Sequence, residues 1–374
     1  MPLKSFVYLY HMNRFHVDPD ISKANTIDKS VYLSHDIFDA MKESIFVPSW
    51  QFIGDTSRAP EVGSLYPFTF VESYVDDPLL LSRDKDSQLH CLSNVCTHRG
   101  NLLTTTSCNS PHGIVCKYHG RKFLGNGKFS FMPEFKEVKD FPSEADNLNR
   151  YPLHQWGHLI FTSLSETHDP LDYFHAMQDR LAWLPIEQFV FRPELSKDYS
   201  IDANWALYCE NYLEGFHIPF VHEGLNAVID YGSYETVCTG NSVLQLAYSK
   251  TPEDCFIIPE NSPDFGKSIA AYYYWVFPNM MFNFYPWGLS INIVQPISLE
   301  KTNVKFLVYM WDQNKYNFGA GSSLDKVEME DEEIVQNVQR GIKSRAYEHG
   351  RYSVSREQGT HHFHRLLAEA LQHI

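Results

Sequence analysis

Cys96-Thr97-His98 and, after seventeen intervening residues, Cys116-Lys117-Tyr118-His119 form the stretch whose reading decides the fold. Two thiolates and two imidazoles at this spacing suit a metal centre. Each pair can sit at the tip of a loop, and two loops can close on one site. A structural zinc would also accept four such ligands. The two pairs differ in spacing, however, and each runs Cys first and His second. That order suits a centre with two unlike halves, one held by sulfur and one by nitrogen.

Two Cys on one iron and two His on the other is the ligation of a Rieske [2Fe–2S] cluster. Neutral imidazole in place of thiolate lowers the negative charge of the cluster and raises its potential. The flanks point the same way: Arg99-Gly100 follows the first pair and Gly120 the second. C-T-H-R-G and C-K-Y-H-G therefore resemble the Rieske fingerprint, with Cys96, His98, Cys116 and His119 as cluster ligands. Lys117 stands where similar sequences often have Pro, and Arg121 where they often have Trp. Neither is a ligand.

Bulk composition narrows the setting. At 374 residues the chain is too long for one compact core, so two domains are expected. Hydrophobic residues make up 43% and aromatics 15%, which suits well-packed cores. A formal net charge of -15 argues against nucleic acid or an anionic membrane as partner. No run approaches the length of a membrane helix, and the first residues lack a basic start followed by a small-residue cleavage site. Five of the seven Cys remain after the cluster, an odd number without framework spacing. Free thiols in a reducing cytoplasm are the expected state.

Along the chain, residues 1–45 read as an entry segment, with a short helical pattern over 34–41 and Ser34 as N-cap. Residues 46–165 carry short apolar runs broken by Gly, Pro, Asp and Asn. The runs 50–53, 66–75, 79–82, 89–92 and 158–163 are predicted strands. Gly125-Asn126-Gly127-Lys128 is a predicted hairpin turn and not a phosphate loop, since no G-x-G-x-x-G follows. This is a small antiparallel β domain carrying both metal loops. Residues 166–374 form the second domain, entered through a linker and helix over 166–193. It has a helical stretch over 204–216 and strand-like runs over 242–248, 270–277, 280–285, 289–297 and 303–311. Predicted helices over 331–348 and 361–373 end it. The expected class is α+β, a curved antiparallel sheet wrapping a helix behind the β domain.

The second chemical motif runs Glu210-Asn211-Tyr212-Leu213-Glu214-Gly215-Phe216-His217-Ile218-Pro219-Phe220-Val221-His222. On a continuous helix Glu210, Glu214 and His217 share one face. His222 would not, but Pro219 can end or bend the helix and bring it round to His217. Two His converging beside a carboxylate suggest half of a 2-His-1-carboxylate triad for non-heme Fe(II). The cluster of His361, His362 and His364 reads instead as part of an amphipathic terminal helix. The aromatic run 272–275 reads as core and pocket wall rather than as a dedicated cation cage.

Taken together, these motifs resemble the catalytic α subunit of a Rieske non-heme iron oxygenase, over nearly the whole length. The resemblance implies a Rieske domain followed by a helix-grip (START-like) catalytic domain. The family motif is a carboxylate, two residues, His, four residues, His, which Glu214, His217 and His222 match. Most members have Asp at the position of Glu214. Branches that oxidise quaternary amines, of the choline and glycine betaine monooxygenase type, share N-Y-L-[DE]-G and H-x-P-x-x-H with this chain. This chain is one residue shorter between Asn211 and His217 than the choline-type sequences. Similar sequences place the third iron ligand eight residues before the Gln of V-Q-R-G, which is Asp331, with Glu332 as the rival. Glu214, with Glu210 as rival, is implied as the carboxylate bridging iron ligand His217 to a neighbour's cluster ligand, His119. The resemblance further implies O₂ and a small organic substrate, and a homotrimer or a multiple of one. The expected substrate is a quaternary or N-methyl amine. The alternative is an aromatic acid or ring compound, acted on by a dioxygenase. A non-catalytic electron-transfer protein is the reading from another class. With neither a Rossmann fingerprint nor a ferredoxin motif in the chain, NAD(P)H must be oxidised by a separate reductase or ferredoxin system.

Overall fold

The computed structural model describes residues 15–372 apart from 317 and 323. Contacts divide the chain into Phe46–His168 and the remainder, in which the stretch before that unit joins the stretch after it.

The Phe46–His168 unit is built from short antiparallel strands. They are β1 (Gln51–Asp55), β2 (Ser64–Phe70), β3 (Asp77–Arg83), β4 (Leu89–Ser93), β5 (Cys108–Asn109), β6 (Ile114–Val115), β7 (Lys122–Phe123), β8 (Phe129–Phe131), β9 (Arg150–Tyr151), β10 (Leu153–Trp156) and β11 (Leu159–Thr162). Three sheets result, in the orders β5-β2-β3-β4-β9, β1-β11-β10 and β6-β7-β8. Central strand β3 explains the packing. Leu79, Leu80 and Leu81 are all fully buried, and successive side chains on a strand point to opposite faces. Leu80 joins Leu65, Leu92, Cys96 and Cys116 in one apolar cluster, whereas Leu81 packs with Ala59 and Ile160 in another. One face of the sheet thus supports the metal loops and the other carries the rest of the unit. The expected strand over 66–75 stops at Phe70 because the chain then turns through left-handed residues Val71, Ser73 and Asp76. The hairpin turn over 125–128 joins β7 to β8, with Gly127 N donating to Leu124 O at 2.9 Å.

The second unit is organised by one antiparallel sheet. Its strands are β12 (Val190–Phe191), β13 (Lys197–Ile201), β14 (Glu235–Thr239), β15 (Ser242–Tyr248), β16 (Ile269–Val276), β17 (Met280–Tyr285), β18 (Gly288–Ser298) and β19 (Lys301–Met310). The order is β12-β19-β18-β17-β16-β15-β14, with β13 also paired to β19. Every residue of β17 is buried, so both its faces are covered. One cover is the Trp205–Tyr212 helix, which packs on β18 and on the helices Leu324–Ile342 and Gln358–Ala370. Asn204 caps it, its Oδ1 accepting from Ala206 N at 3.0 Å. Phe363 stands between Trp205 and Trp275, with ring centroids 6.0 and 5.1 Å away.

Two expected helices differ from the observed ones. The stretch over 204–216 is helical only to Tyr212. The helix expected over 331–348 spans Leu324–Ile342. The acids Glu330-Asp331-Glu332-Glu333 therefore lie in the middle of the helix and not at its start. The inward face is extended backwards by Leu324, Val327 and Glu328, at helical spacing before Asp331 and Val335. The terminal His residues are held by protein atoms: His361 Nε2 and His362 Nε2 lie 2.8 Å from Asp18 O and Gly240 O. His364 is fully buried beside the hydroxyls of Tyr32 and Tyr352. That contact fixes the 15–45 stretch to the second unit. Among the described residues no helix is long and apolar enough to cross a membrane.

Candidate active site

The two metal loops of the first unit are near copies of each other. Gly100 N donates to Cys96 O, and Gly120 N to Cys116 O, both at 3.0 Å. Cys96 N and Cys116 N donate in turn to Asn101 O and Arg121 O. Each loop closes through a left-handed glycine, with φ of 70° at Gly100 and 73° at Gly120. Cys96 and Cys116 are each 2% exposed, while His98 and His119 sit nearer the surface with ring centroids 4.8 Å apart. Burial, reinforced by Cys116 beside it, raises the Cys96 thiol pKa. His119 Nδ1 is buried without a hydrogen-bond partner. Two shielded sulfurs facing each other and an orphaned imidazole nitrogen fit a [2Fe–2S] cluster. Arg121, the residue that departs from the usual pattern, is buried against the rings of Phe123, Phe129 and Phe141. Its guanidinium pairs with Asp146 Oδ1 at 2.7 Å.

The second unit brings His217, His222 and Asp331 together, with one ligand atom from each lying within 4.8 Å of the others. His217 Nε2 is 3.1 Å from His222 Nε2, and Asp331 Oδ1 is 3.0 Å from His222 Nε2 and 3.6 Å from His217 Nε2. The opposite edge of each ring is held by a carboxylate. Glu214 Oε1 is 2.6 Å from His217 Nδ1, and Glu330 Oε2 is 2.8 Å from His222 Nδ1. Protons on the two Nδ1 atoms leave both Nε2 lone pairs aimed at one point, beside an anionic oxygen. Such a set repels itself unless a cation sits there, which is the donor set of a 2-His-1-carboxylate iron site. Asn211 Nδ2 donates to Asp331 Oδ1 at 2.6 Å and fixes its direction.

The local backbone differs from the continuous helix expected from the sequence. Glu210, Glu214 and His217 do not share a helix face, because the helix ends at Tyr212. Pro219 does not bend that helix. It lies in the first turn of a new short helix, Ile218–Val221, where its missing N–H costs nothing. His217 precedes that helix and His222 follows it, so the two rings meet across one turn. Glu214 is freed to fold back, its Oε2 accepting from the amides of Phe216 and His217. Glu210 points elsewhere: its Oε1 is 3.1 Å from His364 Nε2. Glu332 is absent from the converging group, whereas Glu330, which sequence analysis did not single out, holds His222.

A cavity of about 110 Å³ opens beside these residues. Tyr208, Tyr212, Tyr234, Tyr273 and Tyr285 line it, together with Asn283, Ser290 and Asn292 from the sheet and Glu328 from the helix that carries Asp331. Tyr212 donates to Asn283 Oδ1 at 2.8 Å, and Ser290 to Asn292 Oδ1 at 2.9 Å, which fixes the polar floor. Among the described residues no Lys or Arg lines the cavity. The space is close to that of an engineered cavity of roughly 150 Å³ that admits benzene, so it suits a small molecule.

Comparison with known proteins agrees with both halves. The Rieske [2Fe-2S] domain family matches residues 49–142, and the ring hydroxylating alpha subunit (catalytic domain) family matches residues 190–373. Chloroplastic choline monooxygenase of Beta vulgaris is 27% identical over 368 residues, spanning 95% of this chain and 79% of that protein. The carnitine monooxygenase oxygenase subunit of Escherichia coli K12 is 26% identical over 371 residues, 94% of this chain and 95% of the other. A solved quaternary ammonium Rieske monooxygenase with L-carnitine superposes at TM-score 0.73 and 22% identity, covering 96% of this chain and 98% of that one. Naphthalene 1,2-dioxygenase from Rhodococcus gives 0.74 at 18% identity, covering 98% of both. At those identities the superpositions establish the α+β fold alone. With both family matches falling in order on the two units, the chain belongs to the Rieske non-heme iron oxygenases, as a catalytic α subunit close to the choline and carnitine monooxygenase branch.

Proposed function

We propose that this oxygenase hydroxylates or oxidatively demethylates a small quaternary or N-methyl ammonium compound, using electrons from a separate NAD(P)H-dependent reductase. The observation that carries the reading is the cavity beside His217, His222 and Asp331. It has five tyrosines and no Lys or Arg among its described lining residues. Tyrosine faces attract a cation, and a carboxylated aromatic would find no counter-charge there. The sequence relatives, choline and carnitine monooxygenases, favour the same class. Overall fold does not separate it from ring dihydroxylation, since the naphthalene dioxygenase superposes equally well.

In this reading Cys96, His98, Cys116 and His119 hold the cluster, and His217, His222 and Asp331 hold the mononuclear iron. The bound metals supply electron storage and O₂ activation. The protein's part is to orient and insulate. Glu214 and Glu330 fix the two imidazoles, and the tyrosine-lined cavity excludes water from the substrate. The overall conversion is R–H + O₂ + 2e⁻ + 2H⁺ → R–OH + H₂O. Glu214 Oε1 accepts from His217 Nδ1 and keeps a second acceptor site for His119 of the partner subunit, so a trimer or a multiple of one is the expected assembly. A related solved enzyme is described as using inter-subunit electron transfer. The test is O₂ uptake with a compatible reductase across choline, betaines, N-methylamines, benzoates and naphthalene. Substrate-dependent uptake confined to the ammonium compounds is expected. Uptake stimulated by the aromatic compounds alone would replace this reading with ring oxygenation.

A further inference from the structure

Glu328 is a buried carboxylate that the metal site does not use. It is 3% exposed. Its Oε2 accepts from Tyr208 Oη at 2.6 Å, and its Oε1 has no hydrogen-bond partner. No Lys, Arg or His pairs with it among the described residues. Burial, with smaller contributions from Asp331 and Glu332, pushes its pKa up to about 8 despite the Tyr208 hydrogen bond. A buried carboxylate without a cation is costly to keep, and such groups concentrate at binding sites. Its position is equally telling. Glu328 lies three residues before Asp331 on one helix, so the two side chains are neighbours on a single face, and both border the tyrosine-lined cavity.

We infer that Glu328 is the counter-ion for the substrate's ammonium group, holding the cation one helical turn from the metal ligands. The inference rests on the ammonium reading above and adds the residue that enforces it. The cation supplies the charge that the protein withholds from Glu328, and Tyr208 keeps the carboxylate directed at the cavity. An ammonium nitrogen on Glu328 turns one of its own carbons toward the metal face at Asp331. The same carboxylate rejects anions, which makes it a specificity element as well as an anchor.

The experiment compares choline with 3,3-dimethylbutan-1-ol, its neutral isostere with carbon in place of nitrogen. Binding to the iron-loaded, anaerobic enzyme is measured by calorimetry. Glu328→Gln keeps the shape and the contact with Tyr208 but removes the charge. Choline binding is expected to weaken by roughly 10-fold or more, as for loss of a charge-assisted contact, while binding of the neutral isostere stays within about two-fold. Equal changes for the two ligands would overturn the assignment. Iron content is determined on the same samples. Should the Gln variant lose iron, Glu328→Asp carries the test. Weaker choline binding with a retained preference for choline over the isostere supports the inference, and loss of that preference overturns it. Failure of the wild-type enzyme to bind choline or any N-methylated cation is a different result. It would remove the ammonium reading itself, and the counter-ion role with it.

Discussion

Glu330 provides the sharpest perturbation of the iron site that leaves every metal ligand in place. Its Oε2 lies 2.8 Å from His222 Nδ1, on the edge of the ring opposite Asp331. The carboxylate is 26% exposed, and its other oxygen is 3.6 Å from the largely exposed Lys326 ammonium. The hydrogen bond to His222 is therefore its main structural role. Loss of such an outer partner typically weakens metal binding by about 10–100-fold, or roughly 1.4–2.7 kcal/mol. That range overlaps the ~1.5–3 kcal/mol of a hydrogen bond to a charged group. Glu330→Gln keeps an acceptor oxygen but loses the charge, so about 10-fold is expected, with Glu330→Ala nearer 100-fold. The assay is anaerobic Fe(II) competition against a chromophoric chelator, with the visible spectrum of the Rieske cluster as internal control. Asp331→Ala sets the scale by removing a proposed ligand outright. Iron affinity within about two-fold of wild type in Glu330→Ala would refute the positioning role. A loss as complete as that in Asp331→Ala would make Glu330 a ligand.

The remaining predictions concern the cluster, the link between the centres and the buried acid. His119→Cys replaces a neutral ligand with an anionic one, so a surviving cluster should have a lower potential in redox titration, and an unchanged potential would remove His119 from the ligand set. Glu214→Gln should leave both metal sites loaded while oxidation of the pre-reduced cluster, started by substrate and O₂, slows steeply; wild-type rates would dismiss the bridge. Glu328 has a folded pKa of about 8 against an ordinary value of 4.5. The folded state then binds more protons across that window, so this group's stabilisation is fully present below the lower value and lost as pH rises through the upper one. The groups around it are Tyr199, Tyr208, Asp331 and Glu332. Between about pH 6 and pH 9 the melting temperature of Glu328→Gln should therefore fall less than that of the parent. Equal pH slopes in ligand-free protein would contradict the assignment.

Local chemistry was legible in the sequence where the proposed ligands are close together along the chain. C-x-H and C-x-x-H announce a two-loop cluster, because the loop glycines and both ligand types fall within a few residues. Strand runs in the second unit were readable because their buried aromatics and β-branched residues are uninterrupted. The end of the helix at Tyr212 was not readable, because the stop signal in the sequence, Gly215, stands three residues beyond it. A Cβ on Gly359 would stand 2.2 Å from Leu213 O, and one on Gly215 would stand 2.8 Å from the Tyr234 ring. Those close approaches pack the chain just beyond the helix end, where Glu214 folds back. Glu330 escaped notice for a related reason. Its partner His222 is 108 residues away, and in the sequence it is one acid among four. Glu328 has no sequence signal of its own, since only burial separates it from the exposed acids around it. The periodicity Leu324, Val327, Glu328, Asp331, Val335 would have extended the helix and turned Glu328 inward.

A single turnover tests the oxygenase chemistry most directly. Protein loaded with iron at both centres is fully reduced, freed of excess reductant and mixed with choline or another N-methylated cation and O₂. Cys96, His98, Cys116 and His119 would hold one one-electron centre and His217, His222 and Asp331 another, together matching the two electrons that one oxygenation consumes. The prediction is close to one substrate converted per active centre, with loss of the reduced-cluster spectrum at the same rate and no product after Asp331→Ala. Cluster oxidation without conversion of any ammonium substrate, or product yields unaffected by Asp331→Ala, would contradict it.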